Sequence, residues 1–114
     1  MRVMYEYQVR ITNVVDGDTI DAVIDLGCHV SIKERLRLFG INSPEPRGAT
    51  AAAGHAATDH LVQLIDDAQE LGPLFIRTEK DRQGKYGRYL AVVYSHHGEN
   101  LNECMIRDGH AVPY

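Results

Sequence analysis

Over residues 5–39 apolar side chains recur at every second position, and over residues 57–71 at every third or fourth. A chain that changes period in this way is built from strands first and a helix after them. Tyr7, Val9 and Ile11 alternate with Glu6, Gln8, Arg10 and Thr12, which predicts a half-buried strand over 5–15. Asp16-Gly17-Asp18 interrupts it with turn chemistry, and alternation resumes over 19–26 with Ile20, Ala22 and Ile24 inward. Gly27 supplies the next bend. A third strand follows over 30–39, with Val30, Ile32, Leu36 and Leu38 on one face and Ser31, Lys33, Arg35 and Arg37 on the other. Arg37 is therefore expected to point away from the core.

In the helical stretch, Ala57, Leu61, Leu64, Ile65, Ala68 and Leu71 share a face, and Gly72-Pro73 ends it. The Ala-rich start offers no clear cap, and Gly54 is expected to weaken the first turns. Residues 74–78 and 88–94 read as strands, the second apolar on both faces and hence central, with a polar loop over 79–87 between them. His96, His97 and Gly98 form a turn. Asn100 and Glu103 make a capping box for a short helix that ends near Asp108, with Gly109 at its C-terminus. Three strands, a helix, two strands and a helix predict a mainly β fold, a small closed five-stranded barrel with two helices.

A chain of 114 residues holds one core, so residues 1–114 are expected to be a single domain. Its N-terminus lacks the apolar run of a signal peptide, and nothing is long enough to span a bilayer, so a cytoplasmic, membrane-independent monomer is expected. Cys28 and Cys104 sit singly and are expected to be free. A net charge of -4 argues against a general nucleic-acid coating protein. Of the 12 Lys and Arg, however, Lys33, Arg35 and Arg37 form one group and Lys80, Arg82, Lys85 and Arg88 another. Where such segments meet, an acidic protein gains one local positive groove.

The residues with chemistry to offer cluster in three places. Asp16-Gly17-Asp18-Thr19 puts two carboxylates at a hairpin mouth, where a hard divalent cation would find oxygen ligands, although an Asp-Gly pair between strands is a turn before it is anything else. Arg37 and Arg88 suit bidentate capture of phosphodiester oxygens, and alone either one reads as a surface ion pair. Pro44 and Pro46 fix the backbone on either side of Glu45, which is thereby presented as a general base or simply exposed on a loop. The histidines lack metal-ligand spacing and read as solvated or loosely packed. Tyr86 and Tyr114 suit stacking on a base and packing at a rim equally.

Taken in order, VVDGDT, RLFGINSPE, DRQGKYGR and LNECMIRDGHA resemble the signatures of the staphylococcal nuclease-like, or thermonuclease, family. The resemblance runs from Val14 over nearly the whole chain. It implies an OB-type Greek-key barrel and a calcium-dependent phosphodiesterase acting on DNA and RNA, with magnesium or manganese as alternative ions. It further implies that Asp18, Asn42 and the Ser43 carbonyl hold the metal. Arg37 and Arg88 would grip phosphate, Glu45 would act as general base, and Lys85 and Tyr86 would line the nucleotide pocket with Tyr114 near it.

Two departures bear on the transfer. The second metal position, typically Asp in the best-known member, is Asn42 here, which removes a formal charge and keeps an oxygen. The chain given ends at Tyr114, where that member continues into a further helix. The reading is an endonuclease that cleaves single-stranded or frayed DNA and RNA with little sequence preference, leaving 3'-phosphates. The alternative is a non-catalytic OB-fold module that binds nucleic acid or protein.

Overall fold

The computed structural model describes residues 6–80 and 89–114. Strands β1 (Glu6–Asp16), β2 (Thr19–Gly27) and β3 (Val30–Leu38) are antiparallel neighbours in chain order. A two-residue strand β4 (Ile41–Asn42) and a 3-10 turn at Gly48–Thr50 lead into helix α1 (Ala51–Leu71). Strands β5 (Leu74–Lys80) and β6 (Tyr89–Tyr94), helix α2 (Leu101–Arg107) and a second short strand, β7 (Val112–Pro113), complete the order. The barrel closes as β1-β2-β3-β6-β5. Among the described residues only the β3–β6 seam is parallel, and it pairs Leu36↔Tyr89, Arg37↔Leu90 and Leu38↔Ala91. The five-stranded barrel with two helices that the patterning predicts is the one observed.

Alternation produces this core directly. Val9, Ile11, Ile20, Ala22, Ile24, Leu36 and Leu38 from the meander pack with Leu74, Ile76, Ala91 and Val93, and with Ala57, Leu61, Ile65 and Ala68 of α1. Leu101, Cys104 and Met105 bring α2 into the same cluster. Each fully buried Ile or Leu contributes roughly 1.5–3 kcal/mol relative to exposure.

Several local readings change. Val30 and Ile32 share the inward face of β3 yet are 51% and 40% exposed, because the outer end of the β2–β3 hairpin extends past the core. Glu79 and Lys80, expected in a loop, continue β5 and pair with Leu90 and Tyr89. The β4–β7 ribbon was not foreseen, since two-residue strands leave no periodicity to read.

Gly54 has a reason to be glycine. A Cβ there would lie 2.4 Å from the Glu45 carbonyl oxygen and from Pro46 Cα, so its absence lets the Pro-flanked loop cross the helix. His60 is not loosely packed. Its Nε2 lies 2.7 Å from Asp108 Oδ2 and its ring stacks on His110 with centroids 4.3 Å apart, pinning α1 to the end of α2. The capping box is partly realised, with Glu103 N–H donating to Asn100 Oδ1 at 3.1 Å. Both cysteines are free. Among the described residues no helix is long and apolar enough to cross a membrane.

Candidate active site

The site is organised by a crowded turn. Gly17 and Asp18 connect β1 to β2, and both are buried. A Cβ on Gly17 would sit 2.7 Å from Ser43 Cβ and 2.8 Å from Ala57 Cβ, so the turn is held between the segment after β4 and helix α1. The peptide after the turn is fixed by Leu38 N–H, which donates to the Asp18 carbonyl at 2.7 Å. A register shift in β1 between Val14 and Asp16 gives the strand its final bend before the carboxylates.

Asp18 is the hub. Its Oδ2 accepts from Ser43 N–H at 3.1 Å and lies 3.7 Å from Arg37 Nη2, while Oδ1 accepts from the Thr19 hydroxyl at 3.1 Å. Asp16 Oδ1 accepts from Asp18 N–H at 3.1 Å. Burial, then contact with the Asp18 carboxyl, pushes Asp16 above the ordinary carboxylate range. Asp18 goes the other way. Burial opposes its ionisation, but the shared hydrogen bond with Asp16, the Ser43 N–H, the Arg37 charge and Thr19 together hold it below that range. When one proton is shared by the pair it therefore resides on Asp16, and Asp18 stays ionised.

Arg37 was expected to point outward, and it leaves the barrel core without reaching open solvent, its side chain being 15% exposed. Nη1 donates to the Leu38 carbonyl and Nη2 to Asn42 Oδ1, each at 3.3 Å. The Tyr114 ring covers the guanidinium at 4.9 Å, carried there by the β4–β7 pairing and by Tyr114 N–H donating to the Gly40 carbonyl at 3.0 Å. A guanidinium oriented this way has the chemistry to take an oxyanion without first being reorganised.

These observations invite comparison with known proteins. The family described as staphylococcal nuclease homologue matches residues 35–114. This chain belongs to the staphylococcal nuclease family. A protein of Escherichia coli O157:H7 described as an uncharacterized endonuclease is 35% identical over 105 residues, covering 92% of this chain and 60% of that protein. Endonuclease YhcR of Bacillus subtilis (strain 168) is 26% identical over 117 residues, covering 96% of this chain and 9% of that protein. The chain thus spans less than two-thirds of the length of either relative.

Set against the residues singled out in this staphylococcal nuclease relative, the structure brings Asp18, Arg37, Asn42, Ser43 and Tyr114 together. Ser43 meets Asp18 through its N–H. Glu45 lies on the same loop, its carbonyl held by the Thr50 hydroxyl at 2.7 Å, but its side chain is 73% exposed and its carboxylate faces Arg47 at 3.8 Å. Arg88, Lys85 and Tyr86 lie outside the described residues. Missed in the sequence was Asn102, buried in α2 at 2% exposure; an amide among Leu101, Cys104 and Met105 on the buried face of a short helix is the signal that marks it.

Donor chemistry decides whether a metal suits the site. Asp16, Asp18 and Asn42 offer oxygen ligands, and a pair of neighbouring carboxylates, one of them raised first by burial and then by contact with the other, would be relieved by a hard cation. Among the described residues no three His, Cys, Asp or Glu side chains gather as a metal site, so amide or carbonyl oxygens would have to complete the shell. With that condition, the residues fit a divalent ion of the calcium or magnesium type.

Proposed function

We propose that this domain is a divalent-metal-dependent endonuclease that hydrolyses phosphodiester bonds of single-stranded or frayed DNA and RNA with little sequence preference. The observation that carries the reading is the Arg37 guanidinium, fixed by Leu38, Asn42 and Tyr114 beside an ionised Asp18. Family membership and the names of the relatives support it.

Asp18, Asn42 and the Ser43 carbonyl would hold the ion, with Asp16 as support, and calcium is the preferred candidate. When bound, the ion would neutralise charge on the phosphodiester and polarise a neighbouring water. Arg37 grips the equatorial phosphate oxygens as negative charge builds on them, and Arg88 is assigned the second grip. Glu45 takes the proton from the attacking water; a well-placed base contributes typically ~100- to 10,000-fold. Among the described residues Glu45 pairs with exposed Arg47, and exchanging that partner for water requires little reorganisation. Water oxygen bonds to phosphorus, the bond from phosphorus to the 5'-oxygen breaks, that oxygen takes a proton from solvent, and the products carry a 3'-phosphate and a 5'-hydroxyl. Lys85, Tyr86 and Tyr114 are assigned to the nucleotide.

The test is cleavage of fluorescent single-stranded DNA with calcium, magnesium, manganese or EDTA, comparing wild type with Glu45→Gln, Arg37→Ala and Arg88→Ala. The expected result is loss of cleavage in EDTA and a fall of at least ~100-fold for each variant. Folded wild type that binds single-stranded DNA and cleaves it with none of these ions would replace the nuclease by a binding module.

A further inference from the structure

We propose that Asn102 is a positioning residue for phosphodiester hydrolysis, holding the corner after β3 on which the Arg37 guanidinium is braced. The inference rests on the nuclease reading for what Arg37 does, and on geometry alone for where Arg37 sits.

Asn102 comes from α2, yet among the described residues its side chain hydrogen-bonds to the barrel and the corner after β3. Its Nδ2 donates to the Phe39 carbonyl at 2.9 Å and to the Ala91 carbonyl at 3.0 Å, and its Oδ1 accepts from Val93 N–H at 3.1 Å. An amide side chain has two donor hydrogens, and here both are used in a site with 2% exposure. The contacts fall where the structure is otherwise thinly held. The parallel ladder between β3 and β6 ends at Leu38↔Ala91. One more bond, Phe39 N–H to the Ala91 carbonyl at 2.8 Å, extends it. Beyond that the chain turns at Gly40, with φ of +79°, and leaves the barrel.

Among the described residues Phe39 has little else to hold it. Its ring is 43% exposed, so side-chain burial does not anchor the corner. Its N–H is tied to β6 and its carbonyl to Asn102, and these two bonds set the orientation of the peptide planes around it. Arg37 depends on that orientation through two of its contacts. The Leu38 carbonyl, which accepts Nη1, lies just before the corner, and Asn42 Oδ1, which accepts Nη2, lies just after it. Freeing the Phe39 carbonyl lets the corner rotate, and the two acceptors no longer converge on one guanidinium. Asp18 and Tyr114 remain, but the Asp18 carboxylate at 3.7 Å is an ion pair beyond hydrogen-bond distance and Tyr114 only covers the face of the guanidinium, so neither fixes its rotation in the plane.

The test uses the full chain with Asn102→Ala and the milder Asn102→Ser, each alone and combined with Arg37→Ala, at a temperature where circular dichroism finds every variant folded. With calcium and a fluorescent single-stranded oligonucleotide, Asn102→Ala is expected to lower kcat by about 10- to 100-fold, the scale of a misplaced catalytic group, with KM changed less than about threefold. In the Arg37→Ala background the same substitution should change kcat by less than about threefold, because the residue it positions is gone. Equal losses in both backgrounds, or a loss confined to KM, would overturn the proposal.

A second readout needs no activity. The Arg37 Nε–H resonance, assigned by its disappearance in Arg37→Ala, should be dispersed in wild type and collapse to the free-arginine position in folded Asn102→Ser. Its retention there would overturn the positioning role. If folded wild type fails to cleave with calcium, magnesium or manganese, the nuclease reading fails, and the resonance still decides what Asn102 does.

Discussion

Gly17 is the residue on which the geometry of the candidate site is most finely balanced. A methyl group there would meet the Cβ atoms of Ser43 and Ala57 at less than 3 Å, and a Cβ moves only with its backbone. Gly17→Ala is therefore expected to destabilise the fold by about 1–3 kcal/mol, the usual cost of overpacking. It should also separate the Ser43 N–H from Asp18, so calcium affinity should fall with stability; denaturant unfolding and calorimetric titration read the two effects. Asn42 carries the opposite expectation. Restoring a carboxylate with Asn42→Asp adds a charge to the proposed ligand set, and calcium should bind about tenfold more tightly or better. Unchanged affinity would remove Asn42 from that set and leave it as the acceptor that orients Arg37.

Among the elements, the β2–β3 hairpin is an ordinary structure with unusual turn residues. Cys28 and His29 both adopt left-handed backbone angles, with φ of 53° and 65°, between Gly27 and Val30. Such turns favour Asn-Gly, and a residue with a Cβ is strained there by roughly 1 kcal/mol. His29→Gly should therefore raise stability by up to about 1 kcal/mol, measured as a shift in the denaturation midpoint at constant slope. The two thiols should also behave differently. Cys28 is exposed at the tip, whereas burial and then the hydrogen bond to Glu99 push the Cys104 thiol up to about 11. A thiol reagent at mildly alkaline pH should label Cys28 in the native protein and reach Cys104 only on unfolding.

The same elements explain what was legible beforehand. Strands and helices long enough to repeat their period declared themselves, as did the glycine and capping signals at their ends. The β4–β7 ribbon did not, because its two pairs depend on where α2 delivers the chain. Tyr114 over Arg37 and Asn102 under Phe39 are equally products of tertiary placement. The turn aspartates and Arg37 were visible as chemistry, but their convergence is set by the closed barrel and not by spacing in the sequence.

At the scale of the whole molecule, one polar clamp joins the two helices whose packing completes the site. His60 on α1 donates to Asp108 at the end of α2, and Arg107 Nε donates to the other oxygen of the same carboxylate at 3.1 Å. The Arg107 hydrogen bond first, and then that of His60, hold Asp108 below its ordinary value of 3.8. A carboxyl depressed in the folded state binds fewer protons there than in the unfolded chain, so its contribution to stability is present above about pH 4 and is lost as pH falls through the folded value. Because the group is exposed, solvent keeps that contribution small. Asp108→Asn should accordingly lower the melting temperature near neutrality and flatten its decline below about pH 4, while wild type falls more steeply over that interval. Melting curves for the two proteins that stay parallel through the acid range would show that the clamp does not hold the helices together.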